Sequence, residues 1–436
     1  MGLALDAEQM LMPNRARFLL SLLAAAICAL AAGPVAQAKE DSCSICHLAL
    51  GIQNLTKPAE DFKSDIHAAK GLGCDACHGG DPSVMGLEAM DRKKGYIGKP
   101  SPAQVVSVCG RCHGDANFMR KYNPSLRVDQ VAEYYTSVHG RRLREQKDQK
   151  VATCASCHPA HSIRPPNDAR SSVHPLRVAD TCGSCHSNAE HMAPYKIPTD
   201  QVEKFKKSVH WRLMTSKSDL SAPTCNDCHG NHGAAPPGVS SVVNVCGQCH
   251  AVNMELFNKS PHSKIFAQMG LPGCAICHGN HAVSETSDAM LGAGDKSACA
   301  ACHPPASSGG TLAAAMLGSI DRLKVSYEKA LAALKNAEHA GMEVSQPLFE
   351  LNEAKTALIK ARASIHGFDQ TILDKEIEPG LKMSENAYAR GLKAMDEFEY
   401  RRKGLAVSAL IILAFIVGLV FKIRQMERKQ SNADRK

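Results

Sequence analysis

The chain has 436 residues, 19 cysteines and a formal net charge of +8. This length allows two or three domains. A basic chain can bind nucleic acid, but the cysteine pattern of this chain gives the positive charge another partner and excludes that class.

The N-terminus has the layout of a secretory signal peptide. Arg15 and Arg17 precede an apolar run at residues 18–32, and small residues come after the run. This layout predicts a signal peptide at residues 1–38 and export of the chain from residue 39 onward. The run is too short to favour a retained membrane anchor. Cys28, the one cysteine outside a CxxCH motif, lies in this segment.

The remaining cysteines all fall in CxxCH motifs, of which the chain has nine. In such a motif both cysteines form thioethers to a haem, and the histidine is held beneath the iron as the proximal ligand. The predicted thioether cysteines are Cys43, Cys46, Cys74, Cys77, Cys109, Cys112, Cys154, Cys157, Cys182, Cys185, Cys225, Cys228, Cys246, Cys249, Cys274, Cys277, Cys299 and Cys302. The predicted proximal ligands are His47, His78, His113, His158, His186, His229, His250, His278 and His303. The sequence therefore predicts nine covalent c-type haems.

Zinc sites and disulfides are the competing interpretations of these cysteines. Neither would require a histidine directly after every second cysteine. Haem also explains the charge, because each haem carries two propionates and the excess Lys and Arg are expected to pair with them. No nucleic-acid partner is expected.

The haem region contains an internal repeat of two motifs. Each unit has an S-x-H element, a CxxCHGNH element and a second CxxCH. The first copy is looser, with Asp65 in the serine position and Asp81 in the position of the second histidine. Four such units and the lone motif at 43–47 make nine. About 29 residues per haem leave little chain for sheets, so we expect a mainly α region with little regular structure and haems in its core.

The histidines outside the motifs are candidates for the distal iron ligands. Seven are in register with the repeat: His67, His139, His161, His210, His232, His262 and His281. His174 and His191, outside the register, bring this set to the number of haems. That balance favours iron with two histidine ligands, which transfers electrons and has no open site for a substrate.

Residues 304–403 differ in composition and predict a helical domain. Apolar residues recur at three- and four-residue steps along three segments, which begin near Leu312, Leu351 and Tyr388. This period predicts three amphipathic helices that pack as a bundle, with breaks at Gly341 and at residues 378–380. His339 is expected on a helix surface, and His366 is a further candidate for a distal ligand.

A second apolar run, at residues 405–421, predicts one transmembrane helix at 404–422. Both flanks are basic, so charge does not set the orientation. Export of the N-terminal part does, and it predicts that residues 39–403 lie outside and residues 423–436 lie in the cytoplasm. The expected location is the periplasmic face of the cytoplasmic membrane.

The motifs, the S-x-H positions and the CHGNH units resemble the multihaem cytochrome c superfamily, which includes the cytochrome c3, nitrite reductase and hydroxylamine oxidoreductase groups. The resemblance covers about residues 43–400. Nitrite reductases of that group use a CxxCK haem as the catalytic centre, and no CxxCK occurs here. This departure argues against ammonia-forming nitrite reduction.

Two functions of different classes remain. The first is electron transfer through nine haems, from a membrane quinol-oxidising subunit to periplasmic cytochromes or reductases in anaerobic-type respiration. The alternative is an oxidoreductase of a small nitrogen or sulfur compound (nitrite, hydroxylamine or tetrathionate) at one open haem, best placed at 43–47 or in the irregular first unit. We favour an electron-transfer protein or subunit over a stand-alone enzyme, and predict no catalytic residue. A cytochrome filament is disfavoured by the anchor.

Overall fold

The computed structural model describes residues 41–236, 239 and 241–433. The predicted signal peptide lies outside these residues. The chain divides into two compact units, the first ending at Val242 and the second beginning at Val243. This division falls inside the haem region rather than at residue 303, because the last three motifs pack with the helical tail. In the second unit, for example, Arg362 of the tail forms a bidentate ion pair with the Asp288 carboxylate, with both N–O distances at 2.8 Å.

The described residues are mainly helical and contain no strand, as the sequence predicts. The helices of the first unit are α1 Ser42–Ala49, α2 Gln53–Phe62, α3 Ile66–Ala69, α4 Asp75–His78, α5 Pro102–His113, α6 Ala116–Met119, α7 Gln130–Thr136, α8 Val138–Glu145, α9 Cys154–Cys157, α10 Pro175–His186, α11 Ala189–Met192, α12 Gln201–Lys206, α13 Val209–Ser216 and α14 Cys225–His229. Those of the second unit are α15 Ala251–Lys259, α16 Pro261–Met269, α17 Ala275–His278, α18 Ser308–His339, α19 Ser345–Ser364 and α20 Gln370–Ala433. Short 3₁₀ turns join several of them.

Most CxxCH motifs lie on a helix of one or more turns. Residues i, i+3 and i+4 of a helix share one face, so this conformation brings both cysteines and the histidine to the same side. Glycine comes directly after the histidine in several motifs, with a φ of +79° at Gly230 and +75° at Gly279. A side chain is strained at such an angle. The glycine thus turns the chain away directly after the motif.

Helices α18, α19 and α20 of the second unit form the predicted bundle. Met316, Ile320 and Leu323 of α18 pack with Leu358 of α19 and Leu373 of α20 in one buried cluster. A second cluster, farther along the bundle, contains Leu334, Leu351 and Ala387. The first two predicted apolar stripes therefore supply the core.

The prediction for the third helix is wrong in two respects. Helix α20 continues through Pro379 and Gly380, where a break is predicted. A Cβ on Gly380 would lie 2.9 Å from Ala357 Cβ and from Leu323 Cδ1, so this glycine allows close packing of helices instead of ending one. The buried face also carries small residues such as Ser384 and Ala387, whereas Tyr388 of the predicted stripe is exposed.

The C-terminal part of α20 is long and apolar enough to cross a membrane, and is the one such helix among the described residues. Its apolar side chains are exposed, as at Leu405 and Phe415. This helix fits a membrane anchor.

Candidate haem sites

The S-x-H element is a helix start. Ser137 caps α8 and accepts a hydrogen bond from the Gly140 N–H at 3.0 Å, and Ser208 does the same for the Trp211 N–H at 3.2 Å. In the irregular copy Asp65 caps α3 and accepts from the His67 N–H at 2.8 Å. Ser and Asp are both favoured at this position. The cap therefore fixes the histidine in the first turn of its helix.

Each of six motif histidines faces a histidine from outside the motifs. The ring centroids are 6.0 Å apart for His67 and His113, 5.9 Å for His78 and His161, 6.1 Å for His139 and His186, 6.4 Å for His158 and His232, 5.9 Å for His262 and His303, and 6.1 Å for His278 and His366. Two imidazoles that share one metal ion have centroids about 6 Å apart, since each metal–nitrogen bond is about 2 Å and each centroid lies about 1 Å farther out. The spacing fits an iron between the rings.

The Nδ1 atoms of several of these histidines are held by acceptors. His78 Nδ1 lies 2.9 Å from the Gly98 carbonyl oxygen, and His366 Nδ1 lies 2.9 Å from that of Ala363. His67 Nδ1 lies 2.9 Å from an oxygen of Asp65. A carbonyl or carboxylate oxygen accepts, so Nδ1 donates and Nε2 keeps its lone pair. Metal-binding histidines are oriented in this way.

Burial also favours the neutral, metal-binding form of these rings. It lowers the pKa of the histidine side chains at eight positions below the usual value: His113, His139, His158, His161, His186, His232, His262 and His278. His161 also has a φ of +73°. A strained backbone of this kind in a residue other than glycine is often found at functional sites.

In the part of the chain that the structure describes, no group of three or more His, Cys, Asp or Glu side chains could hold a metal ion such as zinc. The structure describes all eighteen motif cysteines, and none of them forms a disulfide in it. Their sulfur atoms stand in for the thioether sulfurs of an attached haem. The motif cysteines and the six facing histidine pairs thus fit covalently attached haem.

Cysteines of consecutive motifs lie beside one another within each unit. In the first unit Cys109 lies beside Cys154, and Cys182 lies beside Cys225, because helix α5 contacts α9 and helix α10 contacts α14. Cys43 also lies near Cys74, Cys77 near Cys112 and Cys157 near Cys182. In the second unit Cys246 lies beside Cys274, and Cys277 lies near Cys299. Within each unit, neighbouring motifs in the sequence are neighbours in space.

The remaining candidates are placed differently. His174 is buried and caps α10, where its Nδ1 accepts from the Leu176 N–H at 3.3 Å. His191 packs against the Tyr195 ring at 6.0 Å. Neither has a motif histidine opposite its ring. His210 and His281 both have interaction partners. His339 is exposed in the last turn of α18, as predicted.

Sequence patterns alone leave the pairing of the rings open. His366 lies in a 3₁₀ turn between α19 and α20, 88 positions after His278, the histidine that it faces. The one signal for His366 in the sequence is its place beside the apolar stripe residue Ile365.

Comparisons with known proteins agree with this chemistry. The family model described as cytochrome c3 matches residues 66–187. A curated relative, the C-type polyheme cytochrome OmcC of Geobacter sulfurreducens, is 23% identical over 220 residues, which cover 45% of this chain and 27% of the relative. The chain thus matches about a quarter of that relative's length. No solved structure matches it. The matches and the CxxCH motifs together support multihaem electron transfer by covalently bound c-type haem.

Proposed function

We propose that this protein conducts electrons through nine c-type haems, one on each CxxCH motif. The observation that carries the proposal is the order of the motif cysteines. Within each unit the sulfur atoms of successive motifs lie near one another, and four of the motifs lie on helices that are in contact in pairs, α5 with α9 and α10 with α14. Haems attached at neighbouring sulfurs are arranged in the same order, and such a series serves stepwise electron transfer.

The six facing histidine pairs are the proposed axial ligands of six of these haems. Five of the pairs obey a simple rule, and the pair of His278 and His366 lies outside it. The S-x-H histidine serves the second haem of its own repeat, as His67 serves the haem of His113 and His262 that of His303. The histidine three residues after a motif serves an earlier haem, as His161 serves that of His78. His210 and His281 occupy the same two register positions, and we extend the ligand role to them.

His366 is the proposed distal ligand of the haem on Cys274 and Cys277. Its ring lies 6.1 Å from that of His278, and Asn253 lies 3.3 Å from its Nδ1. The Ala363 carbonyl holds the ring at the end of the bundle helix α19. The helical domain would then complete a haem site as well as anchor the chain.

Location and partners complete the proposal. The predicted signal peptide exports residues 39–403, and the apolar end of α20 anchors them at the periplasmic face of the cytoplasmic membrane, with the C-terminus in the cytoplasm. A single span without a histidine offers no ligand for a haem within the bilayer. We therefore propose a separate quinol-oxidising membrane subunit as donor, and periplasmic cytochromes or reductases as acceptors.

The haem count and the role of His366 are tested together on the purified full chain. We expect a mass that corresponds to nine haems, and a low-spin spectrum for the six paired haems. His366→Gln removes the imidazole and should convert one haem to high spin. His339→Gln, an exposed histidine of the same domain, is the matched control and should leave the spectrum unchanged. Fewer than nine haems, or an unchanged spectrum in the His366 variant, would contradict the proposal.

The partner is tested with a soluble quinol. The isolated chain should accept electrons from dithionite but not from quinol, since it lacks a quinol site of its own. Rapid reduction of the isolated chain by quinol would exclude the need for a partner subunit.

A further inference from the structure

The first motif is built like the others on its proximal side. His47 lies in α1, and its Nδ1 is 3.3 Å from the Leu55 carbonyl oxygen of α2. The Thr56 hydroxyl donates to the His47 carbonyl oxygen at 2.9 Å. The ring is therefore held with Nε2 available, as it is in His78.

The opposite side of this site differs from the six paired sites. The structure describes all 20 histidines of the sequence, and gives a ring partner to six motif histidines. Within the described part of the first unit, no histidine ring is in contact with that of His47. By the ligand rule proposed above, His210 and His281 serve other haems. Three histidines are therefore left as possible ligands: His174, His191 and His339.

His174 is held in a way that competes with ligation. Its Nδ1 accepts the Leu176 N–H at the start of α10. An imidazole that accepts at Nδ1 carries its proton on Nε2, so Nε2 has no lone pair to offer to iron. Binding a metal would require the loss of this helix cap, which stabilises the start of α10.

The other two are occupied or exposed. The His191 ring packs at a tilt against the Tyr195 ring and lies near His186, whose ring faces His139. His339 is exposed at the end of α18. Eight distal histidines are thus available for nine motifs, and the motif without one is 43–47.

We propose that the haem on Cys43 and Cys46 has no histidine as its sixth ligand and binds a small neutral ligand with a single donor atom. This inference rests on the proposed haem attachment. The charged residues around the first motif favour a neutral ligand over an anion. Asp41 is buried and accepts hydrogen bonds from the Ser44 and Cys74 N–H groups at 2.7 and 3.2 Å. The Asp75 carboxylate also lies near Cys43. Carboxylates near the site repel an anionic ligand.

Carbon monoxide is the probe, titrated into the dithionite-reduced full chain. We expect one carbon monoxide per protein, with the spectral change of a single haem. Replacing both Cys43 and Cys46 by serine should abolish this binding and reduce the mass by one haem. His366→Gln is the positive control and should add a second binding equivalent.

His174→Asn separates the proposal from its main rival. Asparagine keeps the helix cap and removes the imidazole, so we expect carbon monoxide stoichiometry unchanged from that of the unsubstituted chain. Absence of binding in the unsubstituted chain overturns the proposal, as does binding that persists without Cys43 and Cys46. If the cysteine variant does not fold, the stoichiometry of the unsubstituted chain still decides. A chain with nine haems and no binding would refute this inference alone, whereas fewer than nine haems would refute the proposed function.

Discussion

The haem region and the C-terminal bundle are stabilised in different ways. The longest described helices in residues 41–303 have 12 residues, whereas the bundle helices have 32, 20 and 64. One small cluster around Val106, Tyr134 and Leu143 is the apolar core of the first unit, and the bundle buries two larger ones. In the haem region, caps and turns place the candidate ligands and the apolar core is small, whereas the bundle is stabilised by an apolar core of its own.

The largest effect should come from preventing haem attachment. Without haem, residues 41–242 are not expected to fold, because their apolar cluster is small, as in other cofactor-dependent modules. The bundle at residues 308–400 has its own core and should persist. Limited proteolysis of the full chain, made in cells that lack haem attachment, should cleave the first region at least tenfold faster than in the haem-loaded protein. Equal resistance of both regions would remove the distinction between them.

A second prediction concerns the bundle core. Leu323 is completely buried and Val325 is 49% exposed on the same helix. Leu323→Ala should lower the free energy of unfolding by about 2–5 kcal/mol because it leaves a cavity, and Val325→Ala should change it by less than about 0.5 kcal/mol. Chemical denaturation monitored by helical circular dichroism measures both. Similar losses in the two variants would mean that the bundle has no specific core.

Gly380 tests the close approach of the bundle helices. Gly380→Ala places a Cβ 2.9 Å from Ala357 Cβ, and such overpacking should cost about 1–3 kcal/mol. Gly318→Ala, which meets nothing within 4 Å, should gain about 0.5–1 kcal/mol from helix propensity. Opposite signs in thermal melts support the packing role, and a gain in both variants would contradict it.

Ser137 tests the role of caps in the haem region. Ser137→Ala removes the hydrogen bond to the Gly140 N–H and should cost about 1 kcal/mol. It should also perturb the haem whose proposed ligands are His139 and His186, measured by its low-spin resonance. Ser125→Ala, at an exposed turn, is the matched control. An unchanged resonance in the Ser137 variant would show that the cap is not needed to position His139.

The smallest effect is expected at the ion pair of Asp288 and Arg362. Hydrogen bonds from Arg362 hold the pKa of the Asp288 carboxyl below its usual value, so the pair stabilises the fold above the unfolded pKa, near pH 4. This contribution falls as pH drops through the lower, folded-state pKa. Arg362 is 43% exposed, and solvent limits the contribution to about 0.5–1 kcal/mol.

Asp288→Asn should remove that part of the acid dependence of unfolding between pH 7 and pH 3. Glu338→Gln, which removes an exposed pair with Lys335, is the control and should have almost no effect. Identical acid dependence in the Asp288 variant and the unsubstituted chain would show that the ion pair does not stabilise the fold.

Local features were predictable from the sequence because they depend on neighbouring residues. The stripes of α18 and α19 result from spacing alone, whereas the helix caps at the S-x-H elements were not predicted. The facing partner of a motif histidine depends on residues far along the chain, as His366 and His278 illustrate. The continuous α20 was missed because Gly380 is needed for packing, and a proline with a glycine otherwise indicates a break.

The continuous α20 also sets a distance. About 35 residues separate Gln370 from Leu405, which is roughly 50 Å at 1.5 Å per residue. His366 lies just before the first turn of this helix. In a membrane-anchored chain the helix would therefore keep His366 far from the bilayer surface. A donor confined to the bilayer would be out of reach of the haem proposed beside His366, so a donor that serves this haem directly must extend far out from the membrane.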